Sequence, residues 1–200
     1  MNNQPLILGL AGTNGSGKDT VGHLLDERER FLFITITEIL RAYLRRENKP
    51  PTRENLRTLS ANWRSKHGLG VLVDRAMDIY KAEKSLYNGV VIGSIRNPGE
   101  VDRIHELGGK VIWIDAKPEV RYDRVRKNAI ARDRIEEDNV SYEQFLKDEQ
   151  EEMENPDKTD TTRLNMSAVK EKCDSFIDNS EGSIEHFYER IAQVIQELRA

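Results

Sequence analysis

Read for apolar and polar positions, the chain alternates between two kinds of segment. Short unbroken apolar runs occur at Leu6 to Gly12 (LILGLAG), Phe31 to Ile36 (FLFITI), Gly89 to Ile95 (GVVIGSI), Lys110 to Ala116 (KVIWIDA) and Cys173 to Asn179 (CDSFIDN). Such runs, without polar alternation, predict strands buried on both faces, as in a parallel sheet. Between them, helical spacing of apolar residues predicts helices over Thr20 to Arg28, Glu38 to Glu47, Arg53 to His67, Val71 to Lys84, Gly99 to Leu107, Pro118 to Asn128, Tyr142 to Glu154 and Ser183 to Leu198. Strand and helix in alternation predict a layered α/β fold.

Two stretches break the rhythm. Residues 38–84 hold three helical segments separated by NKPPT and KHGLG, where a second lobe can grow between the second and third strands. Residues 126–145 (RKNAIARDRIEEDNVSYEQF) are dense in both charges and poor in apolar residues, which suits a solvated loop or a lid over an anionic ligand. The expected organisation is one domain over 1–200, with its core in 1–37, 85–128 and 155–200, an acceptor-binding insertion at about 38–84 and a lid at about 126–145.

The junction of the first strand and first helix carries the clearest chemistry. Gly12, Gly17 and Lys18 fit G-x-x-x-x-G-K in the stretch GLAGTNGSGKDTVGHLL, Gly9 to Leu25. In that context the pattern is a phosphate-binding loop. Its glycines permit positive φ, backbone N–H groups from Gly15 to Lys18 turn inward, and the helix directs its positive end at the same point. The expected nucleotide-phosphate ligands are therefore Gly12, Asn14, Gly15, Ser16, Gly17, Lys18, Asp19 and Thr20, with Lys18 reaching the β- and γ-phosphates. The usual Ser or Thr after the lysine, a Mg²⁺ ligand, is replaced by Asp19, and Thr20 follows one residue late. A carboxylate is also a hard oxygen ligand, so Asp19 is a candidate for the metal alongside Thr20. One residue along a helix turns a side chain by about 100°.

Charge and composition narrow the partners. The chain has 31 basic and 35 acidic residues, a net charge of -4, and thus no sequence-wide basic field of the kind nucleic-acid binding rests on. No apolar segment is long enough to span a bilayer, the start MNNQPLILGLAG lacks the basic region of a signal peptide, and the single Cys173 makes no internal disulfide. The expected setting is cytoplasmic, with no nucleic-acid or membrane partner and an oligomeric state that the pattern does not reveal. Trp63 and Trp113 read as core residues, and His23, His67, His105 and His186 lack metal-ligand spacing.

A cradle alone means nucleotide binding; arginines at strand ends indicate a second anionic ligand. TITEILRAYL (Thr35 to Leu44) puts Arg41 one turn into a helix, with Thr37 and Glu38 at the expected cap, and GSIRNPGEV (Gly93 to Val101) puts Arg96 at a strand's carboxyl end, where open α/β sheets bind ligands. With Glu38, Leu40, Arg41 and Ala42 matching a D-x-L-R-A stretch, the chain resembles the nucleoside monophosphate kinase group of P-loop kinases. The resemblance implies a three-layer P-loop kinase fold with a five-stranded parallel sheet. It also implies ATP and Mg²⁺, and an acceptor phosphate held by Arg41 and Arg96 with Thr35 or Thr37 beside them. IRNPGEVDRIHELGGKVIWI is similar to phage-type deoxynucleoside monophosphate kinases, and RDRIEEDNVSYEQFLKDEQEEM and FIDNSEGSIEHFYERI resemble uncharacterised relatives near dephospho-coenzyme A kinase. Where those kinases carry an acidic residue at the end of the third strand, this chain has Gly93 and Ser94; Asp115, ending the fourth strand, reads as a helix cap.

Phosphoryl transfer needs positioning and positive charge more than covalent chemistry. Lys18 and Asp19 with the lid candidates Arg132 and Arg134 form the expected catalytic set, and Arg121, Arg124 and Arg126 lie on the preceding helix. The expected reaction is γ-phosphoryl transfer from ATP to a small nucleotide-type acceptor, a nucleoside or deoxynucleoside monophosphate. A dephospho-coenzyme A acceptor would need a base, which Asp19 could be, and a nucleotide-dependent regulatory ATPase would need no small acceptor.

Overall fold

A computed structural model describes residues 5–128 and 140–199. The strands are β1 (Leu6–Gly12), β2 (Phe31–Thr35), β3 (Gly89–Ile95), β4 (Lys110–Asp115) and β5 (Ser175–Asp178). They form one parallel sheet in the order β2-β3-β1-β4-β5. The helices are α1 (Lys18–Glu29), α2 (Ile36–Arg46), α3 (Arg53–His67), α4 (Val71–Glu83), α5 (Pro98–Glu106), α6 (Pro118–Lys127), α7 (Tyr142–Met153), α8 (Met166–Glu171) and α9 (Ile184–Arg199).

Successive strand residues feed opposite layers, which is why the strands read as unbroken apolar runs. Leu8, Leu10, Val91, Ile112 and Ile114 pack with Val21 and Leu25 of α1 and Phe187, Ile191 and Ile195 of α9. Ala11, Val90, Ile92, Val111 and Trp113 face the other way, onto Leu40, Trp63, Val73, Ala76, Val101, Ile104 and Val169. The insertion 38–84 is thus the three helices α2 to α4, packed onto the second layer.

The strands and helices match the sequence pattern closely, with instructive differences. β2 stops at Thr35, because the Thr35 hydroxyl accepts from the Glu38 N–H and starts α2 two residues earlier than the pattern predicts. The short α8 escaped notice because six residues are too few to show a helical period. At the end of β3 the register with β1 slips, Leu10 pairing with Gly93 and Ala11 with Ile95. Ser94 is left unpaired at φ 64, a left-handed conformation uncommon for a residue with a Cβ. No described helix is long and apolar enough to cross a membrane.

Candidate functional site: a phosphate cradle beside an arginine chamber

The loop between β1 and α1 is held in a shape that side chains would prevent. Gly12 sits at φ 144, and a Cβ there would lie 2.0 Å from the Ile114 carbonyl oxygen. Gly17, the N-cap of α1 at φ 98, would bring a Cβ within 2.4 Å of Asn179 Nδ2. That amide instead donates to the Ser16 carbonyl at 2.9 Å, tying the loop to the end of β5. Thr13 Oγ1 donates to Asp115 Oδ1 at 2.9 Å, and the buried Arg121 donates from Nε to the Ala116 carbonyl at 2.7 Å and from Nη1 to the Asn14 carbonyl at 3.5 Å.

What the loop encloses is donor-rich. Lys18 is buried, with Nζ donating to its own loop at the Thr13 carbonyl, 3.3 Å away, and the fully buried Ser16 Oγ has no hydrogen-bond partner among the described residues. A buried lysine and an orphaned hydroxyl at a helix N-terminus fit a polyphosphate. Asp19 and Thr20 are exposed on the first turn of α1. Among the described residues no group of three or more His, Cys, Asp or Glu side chains is placed to hold a metal ion. The chain's own contribution to a bound Mg²⁺ would come from the Asp19 carboxylate or, failing it, the Thr20 hydroxyl.

A second cavity opens beside the cradle, with Asn14 of the loop in its wall. Ile36, Thr37, Leu40 and Arg41 of α2, Arg53, Leu56, Arg57, Ser60 and Arg64 of α3, Ser94 near the end of β3 and Arg96 just after it line it. Arg64 is spent on structure: it is buried against the fully buried Glu100, with Nη2 2.7 Å from Oε1. The other Glu100 oxygen accepts from the N–H groups of Arg96 and Asn97. Asn97-Pro98-Gly99-Glu100 is a capping box for α5. Arg41 is 7% exposed, and its Nε is buried without a hydrogen-bond partner among the described residues; exposed Glu38 approaches it only to 3.7 Å.

Helix α7 supplies carboxylates to both compartments. Glu149 takes both terminal nitrogens of Arg121, Asp148 pairs with Arg53 at 3.3 Å, and Glu152 pairs with Arg96 at 2.6 Å and with Arg57 at 3.5 Å. Burial acts to raise the Glu152 pKa, but Arg96, Arg57 and Arg53 outweigh it and hold the carboxyl below the usual range. Arg96 is pushed up in turn, chiefly by the Glu152 charge, with a smaller contribution from Asp19.

The residues singled out from sequence are thus distributed unevenly. Thr37, Arg41 and Arg96 share the chamber wall with Asn14, whereas Thr35 is taken up by the α2 cap and is not among the lining residues. Arg121 is anchored inward and is not a lid residue; Arg124 Nη2 donates to the Asn179 carbonyl at 2.9 Å and its Nη1 is buried without a partner among the described residues. Arg132 and Arg134 lie outside the described residues. Asp115 does not cap α6, whose N-cap is Lys117; it tethers Thr13. Sequence reasoning missed Asn179, Glu100, Arg53, Arg57 and Glu152. Only Glu100 had a local signal, the N-P-G-E capping spacing. The Cys173 thiol, pushed up to about 12 by burial and the nearby Asp174, is no nucleophile.

Fold and cradle together define a P-loop nucleoside-triphosphatase architecture of the kinase kind. A family profile described as an AAA domain matches residues 8–154, and the chain belongs to that family. A UPF0200 protein of Pyrobaculum aerophilum is 30% identical over 197 residues, covering 96% of this chain and 98% of the relative. A UPF0200/UPF0201 protein of Archaeoglobus fulgidus is 26% identical, and the match covers 96% of this chain but only 55% of that longer protein. Among solved structures, a Thermus thermophilus protein superposes with a TM-score of 0.58 at 21% identity, covering 98% of both chains. Shikimate kinase from Acinetobacter baumannii, in complex with shikimate, superposes at 0.55 and 17% identity over 98% of this chain and 95% of that one. Likeness at these identities speaks for the fold.

Proposed function

We propose that the protein is an ATP-dependent phosphotransferase whose acceptor is a small nucleotide, a nucleoside or deoxynucleoside monophosphate. One observation carries the reading: a glycine-walled cradle shares Asn14 with a chamber where the Nε of the buried Arg41 has no hydrogen-bond partner among the described residues, in one wall with Arg96 and Thr37. Regulatory hydrolysis needs no such second anion site.

In this reading Lys18 and the inward N–H groups grip the β- and γ-phosphates, and Arg41 and Arg96 orient the acceptor phosphate so that one of its oxygens attacks the γ-phosphorus. The new O–P bond forms as the bond to the β-bridging oxygen breaks, leaving ADP and a nucleoside diphosphate. Mg²⁺, when bound, neutralises charge on the phosphate oxygens. The exposed Asp19 carboxylate, directly after the cradle lysine on the first turn of α1, supports a second reading, in which the acceptor is a hydroxyl, as in dephospho-coenzyme A, and Asp19 accepts its proton.

ATP consumption with Mg²⁺, measured against nucleoside monophosphates, their deoxy forms and dephospho-coenzyme A, tests both. Stimulation by one monophosphate that is lost in Arg41→Ala and Arg96→Ala supports the first. Turnover of a hydroxyl acceptor abolished by Asp19→Asn supports the second. Hydrolysis indifferent to every acceptor would overturn both.

A further inference from the structure

The reading above leaves Glu152 unexplained. Among the described residues lining the chamber it is the one carboxylate, and it holds the arginine assigned to the acceptor phosphate. We propose that Glu152 is a built-in occupant of the acceptor-anion site, a carboxylate that neutralises Arg96 and Arg57 while the chamber is empty and is displaced by a phosphate dianion. The inference rests on the acceptor reading for its biological meaning, but on the geometry alone for its existence.

Charge matching supports it. Arg64 is neutralised by Glu100 and Arg53 by Asp148, which leaves Arg57 and Arg96 paired with Glu152 and Arg41 in the same chamber wall. With Glu152 in place the three guanidiniums keep two uncompensated positive charges, and exchanging it for a phosphate dianion leaves one. Glu38, the remaining acid near Arg41, has a side chain 60% exposed and 3.7 Å away, so solvent screens it. Arg41 meanwhile keeps a buried donor unsatisfied, an arrangement that invites an oxyanion.

The mounting of Glu152 also suits displacement. Of the α7 residues only Phe145 is buried, with Met153 half-buried against the core, and Asp148 and Glu152 join the helix to the chamber through ion pairs. A helix held by charge pairs can exchange them for others at small cost, whereas one held by apolar packing would have to expose its face to water. The carboxylate leaves as a single negative charge for solvent, and a doubly charged phosphate takes its place on Arg96 and gains Arg41 as well. Glu152 thereby sets specificity: a monoanionic acceptor gains too little to displace it, and a dianionic phosphate ester gains enough.

Inorganic phosphate tests this without knowledge of the acceptor. With the cradle saturated by Mg²⁺ and a non-hydrolysable ATP analogue, phosphate binding is measured by calorimetry for the wild type, Glu152→Gln, Glu152→Asp and Glu152→Gln/Arg96→Ala. The expected result is about tenfold tighter binding in Glu152→Gln, a smaller gain in Glu152→Asp, whose retained charge is drawn back by one methylene, and no gain once Arg96 is also removed. Glu152→Asp keeps the test decisive if the glutamine variant folds poorly. Unchanged or weaker phosphate binding in the glutamate variants, or no binding to any of them, would overturn the proposal. A gain in phosphate affinity in a protein that phosphorylates no acceptor would support the built-in occupant and sink the kinase reading.

Discussion

The cradle and the chamber meet at Asn14 and bind anions by opposite means. The cradle uses neutral backbone donors arranged by glycines, around one buried lysine that returns to its own loop at Thr13. The chamber uses guanidiniums carried on α2, α3 and the end of β3. Backbone N–H groups need no counter-charge when empty, so nothing acidic has to stand inside the cradle. Partly buried guanidiniums do need one, because an unpaired charge in a poorly solvated cavity costs several kcal/mol. The chamber accordingly arrives with carboxylates: Glu100 fixed in the core, Asp148 and Glu152 on α7. A site built from backbone is ready when empty, and one built from side-chain charge is partly compensated when empty, with Arg41 Nε left without a hydrogen-bond partner among the described residues.

The largest expected effect is on the cradle side. Lys18→Ala should lower kcat/KM for ATP turnover by about 10³-fold or more, since a preorganised cation near the transferred group acts in the transition state. Thermal melting without nucleotide should change little by comparison. A variant retaining a tenth of the activity would mean that the chamber supplies the positive charge and that the division of labour is wrong.

Within the chamber, structural and binding arginines should separate. Arg64→Ala strands the fully buried Glu100 and should cost about 3–5 kcal/mol of stability, read as a fall in the denaturation midpoint. Arg41→Ala removes an unpartnered donor and should cost almost no stability, while raising the acceptor KM by about 10–100-fold, the worth of charge-assisted hydrogen bonds. Reversal of these two results would show that the anion is held by Arg64 and that Arg41 supports the fold.

The same contrast explains how much the sequence revealed. The cradle is contiguous: Gly12, Gly17 and Lys18 lie within one turn between a strand and a helix, so local spacing encodes the site. The strands were legible for a similar reason, since burial on both faces leaves an unbroken apolar run. The chamber is assembled from distant positions, and Arg96 meets Glu152 across a separation of 56 residues. No spacing rule marks Glu152 within KDEQEEM, where the acidic run looks like a solvated helix face. Arg41 and Arg96 could be singled out because each sits near a strand end. Arg53 and Arg57 could not, being two charged residues among many on a helix of ordinary pattern. Asp115 and Asn179 were hidden because their role is to hold another segment's backbone and side chain in place, which depends on the sheet order that brings β4 and β5 beside the loop.

The smallest effect tests the boundary of the chamber at a pair of threonines two residues apart. The Thr35 hydroxyl accepts from the Glu38 N–H at 3.1 Å and Thr35 is the N-cap of α2, whereas Thr37, two residues further on, is among the lining residues. Replacing an N-cap threonine with alanine costs about 1 kcal/mol of stability, and Thr35→Ala should do so with the acceptor KM unchanged. Thr37→Ala should leave the denaturation midpoint within about 0.5 kcal/mol of wild type, as expected away from caps and core, and raise the acceptor KM by a few-fold through loss of one neutral hydrogen bond. If Thr35→Ala moved KM as well, α2 would be carrying Arg41 out of position as its first turn frayed. The chamber would then depend on the cap in the way the cradle depends on its glycines, and the contrast between a backbone site and a side-chain site would narrow to one of degree.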